Sequence, residues 1–96
     1  MNEDNVPISK RKARGDKAKS LLQNEIFNEV FSILEKRYIE GFAESKIEDS
    51  KTRETCYFLL QNLRKLRQEM VLIVNDGDIA TKQLDNLNNP KKRKFF

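Results

Sequence analysis

Between residues 25 and 44, apolar side chains recur at Phe27, Phe31, Leu34, Tyr38 and Phe42, with a second row at Ile26, Val30 and Ile33 beside them. Spacings of three and four predict an amphipathic α-helix, because 3.6 residues per turn bring such positions onto one face. Glu25, Glu29, Glu35, Glu40 and Glu44 mark its polar side. Asn24 suits an N-cap or a kink at the start, and Ser20 with Gln23 three residues later offers a capping-box start instead. Residues 45–49 interrupt the pattern, and Asp49 or Ser50 stands where the next helix needs a cap.

The next segment has a heptad row. Cys56, Leu59, Leu63, Leu66, Met70 and Ile73 are spaced 3, 4, 3, 4, 3, the repeat of a helix–helix seam. The same register continues onto Gly77, Ala80, Leu84 and Leu87. Across it, Asn75-Asp76-Gly77-Asp78 reads as a stop and restart, since Gly suits the position after a helix end and Asp the next N-cap. The expectation is a break there with a short closing helix over residues 79–88. One long helix with a soft spot at Gly77 is the alternative.

The ends carry no such periodicity. Residues 1–9, with Pro7, read as a disordered tail, and residues 10–23 as a basic arm or short helix that Gly15 weakens by about 1 kcal/mol relative to Ala. Residues 24–88 form the helical body, and residues 89–96 a basic-aromatic tail. No stretch reads as a strand. The expected fold class is all-α: an antiparallel helical hairpin of two long amphipathic helices with short flanking helices and basic tails. Each long helix is apolar over more than one stripe, so one seam leaves surface uncovered. Phe27, Phe31, Leu34, Tyr38 and Phe42, with Tyr57, Leu60, Val71 and Val74, are therefore expected to form a partner-binding face. Self-association, or docking on a larger protein assembly, would cover it.

Charge sharpens this picture. The 96 residues carry 19 Lys+Arg and 15 Asp+Glu, a formal net charge of +4. Ten of the basic residues stand at the two ends, as Lys10, Arg11, Lys12, Arg14, Lys17 and Lys19 and as Lys91, Lys92, Arg93 and Lys94. Residues 20–90 hold nine basic and twelve acidic residues, a net of −3. A mildly acidic body with two basic arms points to polyanion binding through the arms, non-specific and phosphate-led if the polyanion is nucleic acid. Phe95 and Phe96 behind the last basic run are candidates for an aromatic tail anchor in a partner's pocket or on exposed bases.

Little else in the chain supports chemistry. There is no His, and the one Cys, Cys56, lies in an apolar row that disfavours a thiolate. No phosphate-cradling glycine loop and no calcium-loop spacing occurs. The expectation is a protein with no catalytic residues, no metal and no cofactor. The start Met1-Asn2-Glu3-Asp4 is polar, with no apolar segment behind it, and the longest apolar run is residues 70–74. Neither a secretion signal nor a membrane span is expected. Pro90 followed by four basic residues resembles a nuclear import signal, which leaves a nuclear helical adaptor as one alternative.

The stretch Arg14-Gly15-Asp16-Lys17-Ala18-Lys19-Ser20-Leu21-Leu22-Gln23-Asn24 leads into Phe27, Phe31 and Tyr38-Ile39. An Arg/Leu-rich helix, Gly77 and a closing segment through Leu84 follow it. In this order, over about residues 13–87, the chain resembles small helical proteins that tailed bacteriophages encode among their structural and packaging genes. The resemblance implies a virion or assembly component, located in the virion or the host cytoplasm, with head, portal or tail proteins as partners. It transfers no site residue. A DNA-packaging protein of the small-terminase kind is the second alternative.

Overall fold

The computed structural model of the protein describes residues 6–88. These residues form three α-helices and no strand: α1 (Ile8–Leu22), α2 (Glu25–Glu44) and α3 (Ser50–Asn88). The capping residues expected from the sequence are in place. Asn24 has extended backbone, and its Oδ1 accepts the Phe27 N–H at 2.8 Å, satisfying one donor of the first turn of α2. Asn28 donates back to the Leu22 carbonyl at 2.8 Å, tying off an open acceptor at the end of α1. Ser45 ends α2, its hydroxyl donating to the Phe42 carbonyl at 2.7 Å. Asp49 caps α3 by accepting from the Thr52 N–H at 3.1 Å and the Thr52 hydroxyl at 2.6 Å. These bonds from Thr52, side chain first, hold the Asp49 carboxyl below its ordinary value, with a smaller contribution from the Arg53 charge.

Two expectations are corrected. The helix does not break at Gly77: α3 runs unbroken for 39 residues, and no glycine has a positive φ. Gly77 is buried because a second helix lies against it, so its missing side chain serves close approach rather than a turn. The Thr81 hydroxyl donates to the Gly77 carbonyl at 2.9 Å within the continuing helix. No short closing helix exists; residues 79–88 are the end of α3. At the other end, α1 starts at Ile8, so residues 8 and 9 of the expected disordered tail are helical and Val6 is buried. Pro7 tolerates the place just before the helix because it needs no N–H there, and its carbonyl accepts from the Arg11 N–H at 3.0 Å.

The chain divides into two compact units. In the first, residues 6–21 pack with residues 70–88. A Cβ built on Gly15 would stand 2.7 Å from the Gly77 Cα and 3.3 Å from the Ile73 carbonyl oxygen. The backbones of α1 and α3 thus touch with nothing between them. Val6 and Ala80 are the buried apolar residues of this unit. Arg11 spans the contact: its Nε and Nη2 donate to both Asp76 oxygens at 2.6 to 3.2 Å, and its Nη1 reaches Gln83 at 3.3 Å. The hydrogen bonds from Arg11 hold the Asp76 carboxyl below its ordinary value; partial burial opposes this, and the Arg11 and Arg14 charges add to it.

In the second unit, residues 22–69, α2 packs on the first part of α3. Phe31 and Leu63 are its buried apolar residues. The Arg67 guanidinium lies 5.6 Å from the centre of the Phe31 ring and reaches Asn28 at 3.5 Å. Phe27 packs on Phe31 with ring centres 5.4 Å apart. Glu35 pairs with Arg64 at 3.6 Å, and a Cβ on Gly41 would meet the Cys56 Sγ at 2.9 Å.

Candidate functional site

The side chains expected to hold the helices together and those expected to face a partner exchange places in part. In the seam, Leu63 is buried and Cys56, Met70 and Ile73 are half-buried, but Leu59 and Leu66 are 41% and 53% exposed. Leu60 and Val74, expected on the free face, are half-buried instead, and Arg67 covers the Phe31 ring. Within the second unit the contact row is therefore Cys56, Leu60, Leu63 and Arg67. It has the same heptad spacing, rotated by one residue at alternate steps. Spacing alone cannot distinguish the two rows, since both share Cys56 and Leu63. What selects the second is that an Arg whose stem packs and whose head finds an aromatic face is a good contact residue.

The same correction applies to α2. Phe31 is buried, and Phe27, Leu34 and Tyr38 are half-buried along the same stripe, so these four belong to the contact within the unit. Of the expected partner-binding residues, Phe42, Tyr57 and Val71 remain exposed. The exposed apolar surface is nevertheless extensive, at positions the expectation did not select. Ile26, Val30, Ile33 and Ile39 on α2, Ile47 in the turn, and Phe58, Leu72, Ile79 and Leu87 on α3 are all more than 40% exposed. For Ile26, Val30 and Ile33 the signal in the sequence was the second apolar row beside the first.

Two local features stand out on this surface. Around the α2–α3 turn, Phe42, Ser50, Arg53, Glu54, Tyr57 and Phe58 line an open hollow of about 460 Å³. Tyr57 and Phe58 meet there edge to face, with ring centres 6.0 Å apart. The other feature is the apolar row Ile26, Val30 and Ile33, one residue before each of Phe27, Phe31 and Leu34.

Of the polyanion-binding candidates, Lys10, Lys17 and Lys19 are exposed on α1, while Arg11, Lys12 and Arg14 are half-buried. Arg11 is held by Asp76, and Lys12 pairs with Asp16 one turn on at 3.1 Å. Lys91, Lys92, Arg93, Lys94 and the anchor candidates Phe95 and Phe96 lie outside the described residues. Among the described residues, no three His, Cys, Asp or Glu side chains come together in a way that could hold a metal ion. None of the described helices is long and apolar enough to cross a membrane. Compared with protein-family models, curated proteins and solved structures, the chain matched none.

Proposed function

We propose that this chain is a non-enzymatic helical structural or assembly protein that docks its exposed apolar helix faces on a larger protein assembly. A minor component of a tailed-phage particle is the setting that fits its sequence resemblance. One observation carries the proposal. Fifteen large apolar side chains are between 41% and 92% exposed, while the buried apolar residues among those described are Val6, Phe31, Leu63 and Ala80 alone. Burial is worth about 25 cal/mol per Å² of apolar surface, so a helical chain left this uncovered gains strongly from a partner. In this reading α2 and the first part of α3 form an antiparallel hairpin, the arrangement that the Phe31–Arg67, Glu35–Arg64 and Gly41–Cys56 contacts support. Basic residues on α1 and in the tail would tie the docked chain to neighbours.

Nucleic-acid packaging is the competing function. It is disfavoured by the use of Arg11 inside the chain, where Asp76 holds it, which leaves one fewer solvent-facing cation on α1 than the sequence count suggests. Light scattering on the purified chain at low and high salt, with and without duplex DNA, tests the choice. Association that is indifferent to DNA and persists at high salt supports docking through apolar faces. A complex formed only with DNA and lost at high salt overturns it in favour of packaging.

A further inference from the structure

In the first unit, α1 and α3 meet through rows that match position by position. Ile8, Arg11, Gly15 and Ala18 on α1 have the same spacings, 3, 4 and 3, as Met70, Ile73, Gly77 and Ala80 on α3, and in sequence the match runs on to Leu22 and Leu84. All eight residues of the two rows are buried or half-buried. The contact itself is symmetric. A Cβ on Gly15 would meet the Gly77 Cα at 2.7 Å, the Ile73 carbonyl oxygen at 3.3 Å and the Gly77 nitrogen at 3.4 Å. A Cβ on Gly77 would meet the Gly15 Cα at 2.7 Å, the Arg11 carbonyl oxygen at 3.3 Å and the Gly15 nitrogen at 3.4 Å. Exchanging the two helices therefore leaves the close contact as it is, with Ile73 in the place of Arg11. The seat that α3 offers fits a helix carrying this row, and the chain has two: α1 and α3 itself.

Charge decides between them. Arg11 donates to both Asp76 oxygens and to Gln83, and the Arg14 charge also acts on Asp76. With a second α3 in the place of α1, the same exchange would set Ile73 where Arg11 stands and Asp76 where Arg14 stands. Asp76 would lose its ion pair and face another carboxylate. A part-buried charge stripped of its partner is costly, and a like charge beside it adds to the cost. With α1 paired on a second α1, Arg11 would face Arg14. Of the three pairings only the mixed one brings opposite charges together, so the backbone rows fix the geometry and Asp76 selects the occupant.

We infer that the α1–α3 contact is autoinhibitory: α1 sits where the α3 of a second copy would otherwise sit, and the Arg11–Asp76 pair keeps it there. Lifted from its seat, α1 uncovers the Met70, Ile73, Gly77 and Ala80 row, which pairs with the same row of another copy about a twofold axis at Gly77. Two features make α1 displaceable. It is a 15-residue helix with a glycine in its interior, a length and composition at the margin of helix stability without tertiary contacts. It joins α2 through Gln23 and Asn24 alone, and the packing of α2 on α3 lies within residues 22–69. The seat is covered by α1 and is separate from the exposed apolar faces, so this contact adds to the docking function without depending on it.

The experiment is analytical ultracentrifugation of the full chain over a concentration series, with hydrogen exchange read across residues 8–22, for the wild type and three variants. Asp76→Asn removes the ion pair and the carboxylate repulsion together. Exchange in α1 should rise about tenfold or more over wild type, and dimerisation should strengthen about tenfold. Arg11→Gln also frees α1 but leaves the two Asp76 carboxylates opposed, so exchange should rise as much while dimerisation gains less. Asp76→Asn combined with Gly77→Leu blocks the seat to either helix, and should show fast α1 exchange with dimerisation no stronger than wild type. An Asp76→Asn chain whose α1 exchange is unchanged overturns the inference, as does one whose α1 is freed while dimerisation stays at the wild-type level. So does a gain in dimerisation that Gly77→Leu leaves in place; that result puts the contact on an exposed face and leaves the docking function standing.

Discussion

The contact between Gly15 and Gly77 makes a prediction of unusual sign. In an exposed helix interior, Gly→Ala stabilises by about 1 kcal/mol, through higher helix propensity and a less flexible unfolded chain. At Gly15 the new Cβ would lie 2.7 Å from the Gly77 Cα and 3.3 Å from the Ile73 carbonyl oxygen. Carbon atoms pack at about 3.5–4.0 Å, so α1 must retreat by roughly 1 Å. The obstructing atoms are backbone within a continuous helix and cannot turn aside as a side chain does. Retreat loosens the packing at Ala80, which is fully buried, and stretches the Arg11–Asp76 contact at 2.6 Å. Overpacking of this kind costs about 1–3 kcal/mol, which exceeds the gain in propensity. Gly15→Ala should therefore destabilise by about 1–2 kcal/mol, lowering Tm by roughly 5–15 °C for a chain of this size. Gly77→Ala should do the same, since its Cβ meets the Gly15 Cα at 2.7 Å and the Arg11 carbonyl oxygen at 3.3 Å. Thermal melts followed by circular dichroism at one fixed protein concentration measure both. A rise in Tm for either variant would refute the reasoning, because it is the response of a glycine that nothing touches. Gly41→Ala is the internal comparison: its Cβ meets a side-chain atom, the Cys56 Sγ at 2.9 Å, so pairing it with Cys56→Ala should recover the loss.

Further outcomes separate contact residues from exposed ones. Leu63→Asp places a carboxylate in the buried contact of the second unit and should cost about 3 kcal/mol or more in a urea melt, whereas Leu66→Asp, three residues on and 53% exposed, should leave the melt of the dilute chain nearly unchanged. Equal losses for the two would restore the row that contains Leu66 as the contact. Asn24→Ala removes the acceptor for the Phe27 N–H and should cost about 1 kcal/mol, seen as lower α2 helicity on heating. The carboxyls of Asp76 and Asp49 are both held below the ordinary value of 3.8. Their stabilisation is complete above that value and is lost as pH falls through the lower folded-state values, where the unfolded chain takes up protons first. The urea midpoint should therefore be flat near neutrality and fall below about pH 4, and Asp76→Asn should flatten that fall. An unchanged acid profile in Asp76→Asn would remove Asp76 from the account.

Local chemistry made the helices legible. Asn24 and Asp49 announce α2 and α3 because a side-chain oxygen next to an apolar-periodic run has one favourable use, capping. The stripe Phe27, Phe31, Leu34, Tyr38 follows from 3.6 residues per turn. Three features were not legible. Asn75-Asp76-Gly77-Asp78 has the composition of a helix stop, and only the presence of α1 turns Gly77 into a packing position. The Arg11–Asp76 pair also joins residues 65 apart, which no local pattern reports. Likewise the row through Leu59 and Leu66 and the row through Leu60 and Arg67 satisfy the same heptad, and the choice rests on where the Phe31 ring lies.

The sequence by itself determined the all-helical class, the caps, the placing of charge at the ends and the surplus of apolar faces, since each depends on residues within a turn or two of one another. Only the tertiary structure decided which apolar row is covered and which is free. That choice is a rotation of one helix about its axis against its neighbour, and a rotation leaves every local spacing as it was.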